Sequence, residues 1–340
     1  MTPATIGFAI IGTGTIARVH AAALGEVAEA RLIAGSSRDV ARAQSFAADF
    51  GCEATTNWRE HLTDPRVNTV IITTSSGSHA NIAMEAMAAG KNVIVEKPMA
   101  LHTDDARAMI ACAHQTGRAL SVIFQRRYEP VHQALKQAMP ALGRLLFAEV
   151  SCPFHRPQAY YDSAPWRGTE AEDGGALMNQ AIHSVDLLLW LCGPATKVYA
   201  ECATQMHAME AEDLAVVVAQ LQGGAKATLM ASTNILPGFP ATLAIYGQHG
   251  SVRLSGAEVV HWSVPGVPAP APASPASVGV ATNILASHEY HRAQLQDVVD
   301  ATLAQRPPPI EGSQGFAALA LVEAAYSSAR LGHPVDVARL

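Results

Sequence analysis

Ile6-Gly7-Phe8-Ala9-Ile10-Ile11-Gly12-Thr13-Gly14-Thr15-Ile16-Ala17 begins as a short apolar run and breaks into closely spaced glycines. The run reads as a buried strand, and Arg18 to Leu24 reads as the helix that follows it. A Gly-x-Gly-x-x-Ala turn between strand and helix has a physical purpose. Gly12 permits the tight turn, Gly14 lets backbone approach a diphosphate, and Ala17 is small enough for helix against sheet. The unpaired N–H groups of the first helical turn then face an anion. The stretch therefore predicts a dinucleotide site made by Gly12, Gly14, Thr15 and Ile16.

The next strand, Arg31 to Ser36, ends in Ser37-Arg38-Asp39. A carboxylate at this strand end would hold both ribose hydroxyls of NAD. A hydroxyl and a guanidinium suit the 2′-phosphate of NADP instead. Ser37 and Arg38 thus favour NADP over NAD, with Asp39 read alternatively as the cap of a helix from Val40 to Phe50. Strand and helix go on alternating: Val67 to Thr73, Ala80 to Ala89 closed by Gly90, Val93 to Val95, Thr103 to Gly117, and Ala119 to Phe124. This is the grammar of an α/β fold with a doubly wound parallel sheet, a Rossmann domain over residues 1-125. Thr74 and Ser75, at a strand end, and Gln125, after the last strand, join the cofactor candidates. His79 either joins them or caps and packs at the following helix.

Lys91-Asn92-Val93-Ile94-Val95-Glu96-Lys97-Pro98 places a carboxylate and an ammonium at the end of a buried strand. Pro98 cannot donate to a ladder and biases Lys97 towards extended backbone. Open α/β sheets bind ligands at this edge. Taken alone, Glu96 and Lys97 are a solvated pair at a turn. Taken with the glycine turn they become candidates, Glu96 for the cofactor ribose or for holding Lys97.

The composition narrows the possibilities. A chain of 340 residues suggests two domains, and 49% apolar with 15% charged residues describes a globular, core-rich protein. A net charge of -6 without a basic block excludes nucleic acid and an anionic membrane surface as partners. Cys52, Cys112, Cys152, Cys192 and Cys202 are scattered, which suits free thiols in a reducing compartment. The first apolar run is too short for a signal sequence or a membrane span, so the expected location is cytoplasmic.

Beyond Phe124 the pattern changes. Apolar or alternating runs at Arg144 to Ser151, Lys197 to Ala203, Leu214 to Gln222, Ala225 to Ser232, Thr242 to Tyr246 and Ser251 to Leu254 are separated by short turns. They predict a C-terminal α+β domain, residues 126-340, built on a mostly antiparallel sheet. One face of such a sheet is commonly left for a second copy, giving a homodimer or homotetramer. Val264 to Pro275 reads as an extended loop, and two helices, Leu285 to Gln305 and Gly312 to Leu331, end the chain.

Within this half, Trp166-Arg167-Gly168-Thr169 precedes a segment from Asp173 to Trp190. Asn179, His183 and Asp186 recur at helical spacing and are expected on one face. His183 is either a packed or capping residue or an acid/base group whose tautomer Asp186 fixes. A metal would need His183, Asp186 and a third ligand that the sequence does not offer, so no metal is predicted.

These motifs together resemble the Gfo/Idh/MocA family of NAD(P)-dependent oxidoreductases over nearly the whole chain. The resemblance rests on the Gly-Thr-Gly-Thr-Ile-Ala turn, Ala88 to Pro98, the Arg127-Tyr128 segment and the His183-x-x-Asp186 helix. It implies that Lys97 and His183 are the catalytic pair. Many members have aspartate where this chain has Asn179. The Trp166-Arg167-Gly-Thr and Leu-Met-Asn-Gln wording is similar to the subgroup with UDP-N-acetylglucosaminuronate 3-dehydrogenases. The activity implied is hydride transfer between nicotinamide and a hydroxyl-bearing carbon of a sugar, nucleotide sugar or polyol. His183 would take the hydroxyl proton, and Lys97 would stabilise the developing alkoxide. Asn179 would orient a substrate hydroxyl, Trp166 would offer a flat surface, and Arg167 would meet a carboxylate or phosphate. Arg127 and Tyr128 are further substrate candidates, with interdomain packing as their alternative. A non-catalytic dinucleotide sensor on the same fold is the competing function, although it has no need of Lys97 and His183 together.

Overall fold

The computed structural model describes residues 5–271 and 288–340, which fall into two compact units. The first comprises 5–100, 104–125 and 288–315; the second comprises 101–103, 126–271 and 316–340.

The first unit runs β1 (Ile6–Ile11), α1 (Thr15–Leu24), β2 (Ala30–Ser36), α2 (Val40–Phe50), β3 (Glu53–Thr55), α3 (Glu60–Thr63), β4 (Thr69–Ile72), α4 (His79–Ala88), β5 (Asn92–Val95), α5 (Thr103–Thr116) and β6 (Leu120–Val122). Its strands form one parallel sheet in the order β3-β2-β1-β4-β5-β6. Every residue of β1 and β4 is buried, because helices cover both faces of a parallel sheet. The order reverses between β1 and β4, which opens a crevice at the carboxyl ends of those strands. β3 and α3 are additions to the expected set; β3 is three residues long and has no apolar run to announce it.

Between 125 and 126 the chain passes from the first unit to the second. Residues 288–315 return to the first unit. Leu295, Val298 and Val299 of the helix Glu289–Leu303 join the core of Phe8, Ile10, Leu24 and Phe46. Gln294 completes the tie: its Nε2 donates to the Val122 carbonyl at 2.7 Å, and its Oε1 accepts the Phe124 N–H at 3.1 Å.

The second unit carries α6 (Pro130–Ala138), β7 (Leu145–Pro153), α7 (Gln158–Asp162), α8 (Ile182–Cys192), β8 (Ala195–Ala203), β9 (Leu214–Leu221), β10 (Lys226–Ser232), β11 (Thr242–Gly247), β12 (Ser251–Ser255) and β13 (Glu258–Ser263). Glu289–Leu303 is then α9, and α10 (Gly312–Leu331) and β14 (Val335–Asp336) follow. The eight strands are ordered β13-β12-β11-β7-β10-β9-β8-β14 and are antiparallel except for β7 beside β10. Along β9, Ala215, Val217, Ala219 and Leu221 are buried while Val216, Val218 and Gln220 are exposed, the two-residue period of a sheet with one covered face. The mostly apolar α8 packs on β7 and is buried along most of its length. The expected loop from Val264 lacks regular structure to residue 271; its remainder and the expected helix start at Leu285 lie outside the described residues. Among the described residues no helix is long and apolar enough to cross a membrane.

Candidate functional site

The carboxyl edge of the parallel sheet gathers most of the expected cofactor residues of the first unit. Ser37 and Arg38 follow β2, the glycine turn follows β1, Thr74 and Ser75 follow β4, Glu96 and Lys97 follow β5, and Gln125 follows β6. Neighbouring strands lie about 4.8 Å apart, so the edge from β2 to β5 spans about 14 Å.

Gly12 has φ 98°, and a Cβ there would lie 2.8 Å from the Thr73 carbonyl oxygen. The Thr73 hydroxyl donates to the Gly12 carbonyl at 2.8 Å, cinching the turn to β4. Gly14 is different: a Cβ there would meet nothing within 4 Å. It precedes α1, whose first turn has no side-chain cap, while Thr15 is exposed and Ile16 half-buried at the helix start. The neighbouring Thr13 hydroxyl is buried and lacks a partner among the described residues. Open backbone, uncapped N–H groups and an orphan hydroxyl fit a diphosphate. At the other end of the edge, Gln125 Oε1 is likewise buried without a partner.

Asp39 caps α2, accepting the Arg42 N–H at 3.0 Å, and Ser37 Oγ accepts the Asp39 N–H at 3.2 Å. The capping alternative for Asp39 is therefore the observed one. Arg38 is exposed.

Two of the expected cofactor residues, His79 and Glu96, are buried. His79, 1% exposed, sets Nδ1 2.9 Å from the Pro98 carbonyl and Nε2 3.2 Å from the Thr74 carbonyl. Both ring nitrogens face protein oxygens, so His79 ties the ends of β4 and β5 together. Glu96 is also buried. One of its carboxylate oxygens lies 2.8 Å from His20 Nε2, and the other accepts the Lys97 N–H at 3.1 Å. His291 of α9 stands edge-on to His20 with ring centroids 5.2 Å apart. His20, Glu96 and His291 bring three potential ligand atoms within 4.8 Å, a cluster absent from the sequence reading. Its hydrogen bonds hold the backbone of Lys97, whose side chain is half-buried and whose bond to Pro98 is cis.

In the second unit, Asn179 does not lie on the helix of His183. Ala176–Gln180 forms a single π-helical turn, and α8 begins at Ile182, which breaks the expected common face. Such turns re-aim side chains at functional sites. The Asn179 amide donates to Asp173, whose carboxylate also accepts the Gly168 N–H at 2.8 Å. The turn is braced from behind. Glu212 Oε1 accepts the Leu177 N–H at 2.7 Å and the Tyr326 hydroxyl at 3.0 Å, while the Tyr326 oxygen accepts the Met178 N–H at 3.2 Å. Burial pushes the Glu212 carboxyl up to about 7 despite these donors.

His183 is half-buried in the first turn of α8, but Asp186 is not its carboxylate partner. Asp186 is taken by Arg127, which donates Nε to Oδ2 at 2.8 Å and Nη2 to Oδ1 in a two-point pair, both residues being buried. Burial raises the Asp186 carboxyl to about 6, with the guanidinium opposing that rise. Arg127 also lies 5.5 Å from the Trp190 ring centroid. It braces the inside of the second unit through these contacts. Trp166 and Arg167 do come together, with the guanidinium carbon 4.6 Å from the Trp166 ring centroid and 4.3 Å from that of Tyr160. Thr73, His20 and Glu212 escaped the sequence reading; a threonine at a strand end was the only local signal among them.

Residues 6–124 match the domain described as "Oxidoreductase family, NAD-binding Rossmann fold", and residues 132–253 match the "GFO/IDH/MocA C-terminal domain". Inositol 2-dehydrogenase of Rhizobium meliloti is 26% identical across 98% of this chain and 100% of that protein. D-apiose dehydrogenase of Paraburkholderia graminis is 28% identical across 98% of this chain and 90% of that protein. Among solved structures, the WlbA dehydrogenase of Chromobacterium violaceum in complex with NADH and UDP-GlcNAcA is similar with a TM-score of 0.89 and 34% identity, covering 99% of this chain and 97% of that one. The WlbA dehydrogenase of Bordetella pertussis, with the same two ligands, gives 0.88 and 30%, covering 98% and 99%.

Proposed function

Since the chain belongs to the Gfo/Idh/MocA oxidoreductase family, we propose that it is an NAD(P)-dependent dehydrogenase or reductase acting on the CH–OH group of a sugar, nucleotide sugar or polyol. The observation that carries this reading is Lys97 at the end of β5, on the same sheet edge as the open backbone of Gly14. The nicotinamide supplies the hydride acceptor or donor. The protein supplies the rest.

Gly12, Gly14, Thr15 and Ile16 hold the diphosphate against the start of α1, and Thr74, Ser75 and Gln125 line the edge beyond it. His183 is the base for the hydroxyl proton in oxidation and the acid in reduction. Lys97 donates a hydrogen bond to the reacting oxygen and stabilises its developing negative charge. Glu96 and His20 keep the Lys97 backbone in place. Asn179, carrying no charge, orients a substrate hydroxyl, and Trp166 gives the sugar a flat apolar surface.

NADP is the cofactor we favour, because Arg38 is exposed at the end of β2 while Asp39 is occupied as a helix cap. The relatives solved with NADH keep NAD as the competing choice. Arg38→Ala should raise the KM for NADP and spare that for NAD; an unchanged NADP constant removes the preference.

The first unit serves the dinucleotide, and the second serves substrate and assembly. Phe147, Tyr246, Val216, Val218 and Met230 share the uncovered face of the eight-stranded sheet, and we assign that face to a homodimer or homotetramer. Five free cysteines agree with a cytoplasmic enzyme. Absorbance at the nicotinamide band with a panel of sugars tests the activity: turnover supports it, and dinucleotide binding without any turnover rejects it.

A further inference from the structure

Three polar side chains from distant parts of the sequence meet inside the first unit. His20 comes from α1, Glu96 from the end of β5 and His291 from α9, and they are 0%, 5% and 6% exposed. Each offers one potential ligand atom, and the three atoms lie within 4.8 Å of one another. The helices that carry the two histidines also supply Ala17, Leu24, Leu295 and Val298 to the apolar core. Polar groups buried beside such a core are costly unless each lone pair and N–H finds a partner.

The cluster does not satisfy itself. His20 Nε2 and Glu96 Oε1 stand 2.8 Å apart and share one proton, while Glu96 Oε2 accepts the Lys97 N–H at 3.1 Å. His291 meets His20 edge-on, with the rings at 90° and their centroids 5.2 Å apart. His291 Nε2 is buried with no hydrogen-bond partner among the described residues, and so is His20 Nδ1. An unpartnered imidazole nitrogen beside a second imidazole and a carboxylate is a donor set for a cation. Two histidines and one glutamate are the protein ligands of a known class of zinc site, with water in the fourth position. Zinc binds these groups at about 2.0–2.2 Å, so tetrahedral neighbours lie about 3.4 Å apart. The His20–Glu96 contact has to open by only about half an ångström for an ion to replace the shared proton.

Ligand type selects the ion. Magnesium and calcium want oxygen ligands, whereas imidazole suits zinc. The Glu96 carboxylate supplies negative charge, and the Lys97 ammonium, which acts on both Glu96 and His291, opposes a cation and moderates its affinity. We propose that His20, Glu96 and His291 form a zinc site that clamps α9 to α1 and to the end of β5. The clamp ties a helix from late in the chain to the strand that carries Lys97. One Glu96 oxygen holds the ion while the other stays on the Lys97 N–H. The ion is structural, and its binding does not depend on which reaction the sheet edge performs.

The test is a calorimetric zinc titration of the intact chain after dialysis against EDTA, with His291→Phe beside the wild type. Phenylalanine keeps the edge-on ring and removes the ligand. The wild type should bind one zinc per chain with micromolar affinity, and saturating zinc should raise its Tm by about 5 °C or more. His291→Phe should keep the Tm of the dialysed wild type and weaken the site by at least about a hundredfold. X-ray absorption of the zinc-loaded wild type needs no variant and should show two imidazoles around the ion. A wild type that takes up no zinc overturns the proposal. So does zinc binding by His291→Phe that equals the wild type, which would assign the ion to surface histidines. A zinc shell with fewer than two imidazoles, or an equal rise in Tm with magnesium, overturns it as well.

Discussion

His20 Nε2 lies 2.8 Å from Glu96 Oε1 inside the first unit, directly behind the residue proposed to act on the substrate oxygen. Burial alone would raise the Glu96 carboxyl. The His20 hydrogen bond and the nearby positive charge of Lys97 outweigh it and hold the group below the ordinary carboxylate range. A carboxylate only accepts, so His20 carries its proton on Nε2.

Glu96→Gln should therefore reduce turnover by roughly ten- to a hundredfold, the worth of one charged hydrogen bond lost at the Lys97 backbone, with a smaller change in dinucleotide affinity. The stability effect has a definite sign. A folded-state pKa below the unfolded value gives stability that is present above about pH 4.5 and lost as the pH falls. Denaturation curves from pH 3 to 6 should show a shallower acid loss for Glu96→Gln than for the wild type.

Gly12 and Gly14 should separate folding from cofactor binding. Gly12→Ala forces a side chain into φ 98° and towards the Thr73 carbonyl, so it should lower stability by about 1–3 kcal/mol. Gly14→Val points into open space at an ordinary φ of -73° and should leave Tm nearly unchanged. Dinucleotide affinity should fall at least tenfold in Gly14→Val, read by fluorescence titration. A Gly14→Val protein that binds the dinucleotide normally would contradict the placement of the diphosphate.

The buried Arg127–Asp186 pair predicts a stability effect without a specificity effect. Arg127→Ala leaves a carboxylate buried without its counter-ion and should cost about 3–5 kcal/mol in urea denaturation. Replacing both partners by apolar residues should recover much of that loss. Substrate discrimination should not change in the double variant.

Glu212 sets a pH dependence of the opposite sense to Glu96. Its carboxyl is raised by burial to about 7, so the folded state holds a proton that the unfolded chain releases near pH 4.5. The stability is complete below pH 4.5 and is lost as the pH rises through 7, a difference of about 3 kcal/mol. Asp186, raised to about 6, adds in the same direction. Glu212→Gln should flatten the decline between pH 5 and 8, measured by thermal melts across that range.

The parallel sheet was legible because its signals are local: an apolar strand, a glycine turn, a capped helix and a proline after Lys97. Asp39 could be recognised as a possible cap from position alone. The return of α9 to the first unit was not legible, since Leu295 and Val298 bury against residues near the other end of the chain. The same holds for Arg127 and Asp186, whose pairing crosses 59 positions. Helical spacing suggested one face for Asn179, His183 and Asp186. A single π-helical turn, pinned by Glu212 and Tyr326, removes Asn179 from that face. β3 and β14 are too short to carry a period of their own.

Hydride transfer through Lys97 and His183 is tested most directly by following nicotinamide absorbance in the wild type, Lys97→Met and His183→Ala with the substrate that the sugar panel selects. Each variant should keep its Tm and bind dinucleotide while losing turnover by at least about a thousandfold. Turnover near the wild-type rate in either variant would contradict the role assigned to that residue.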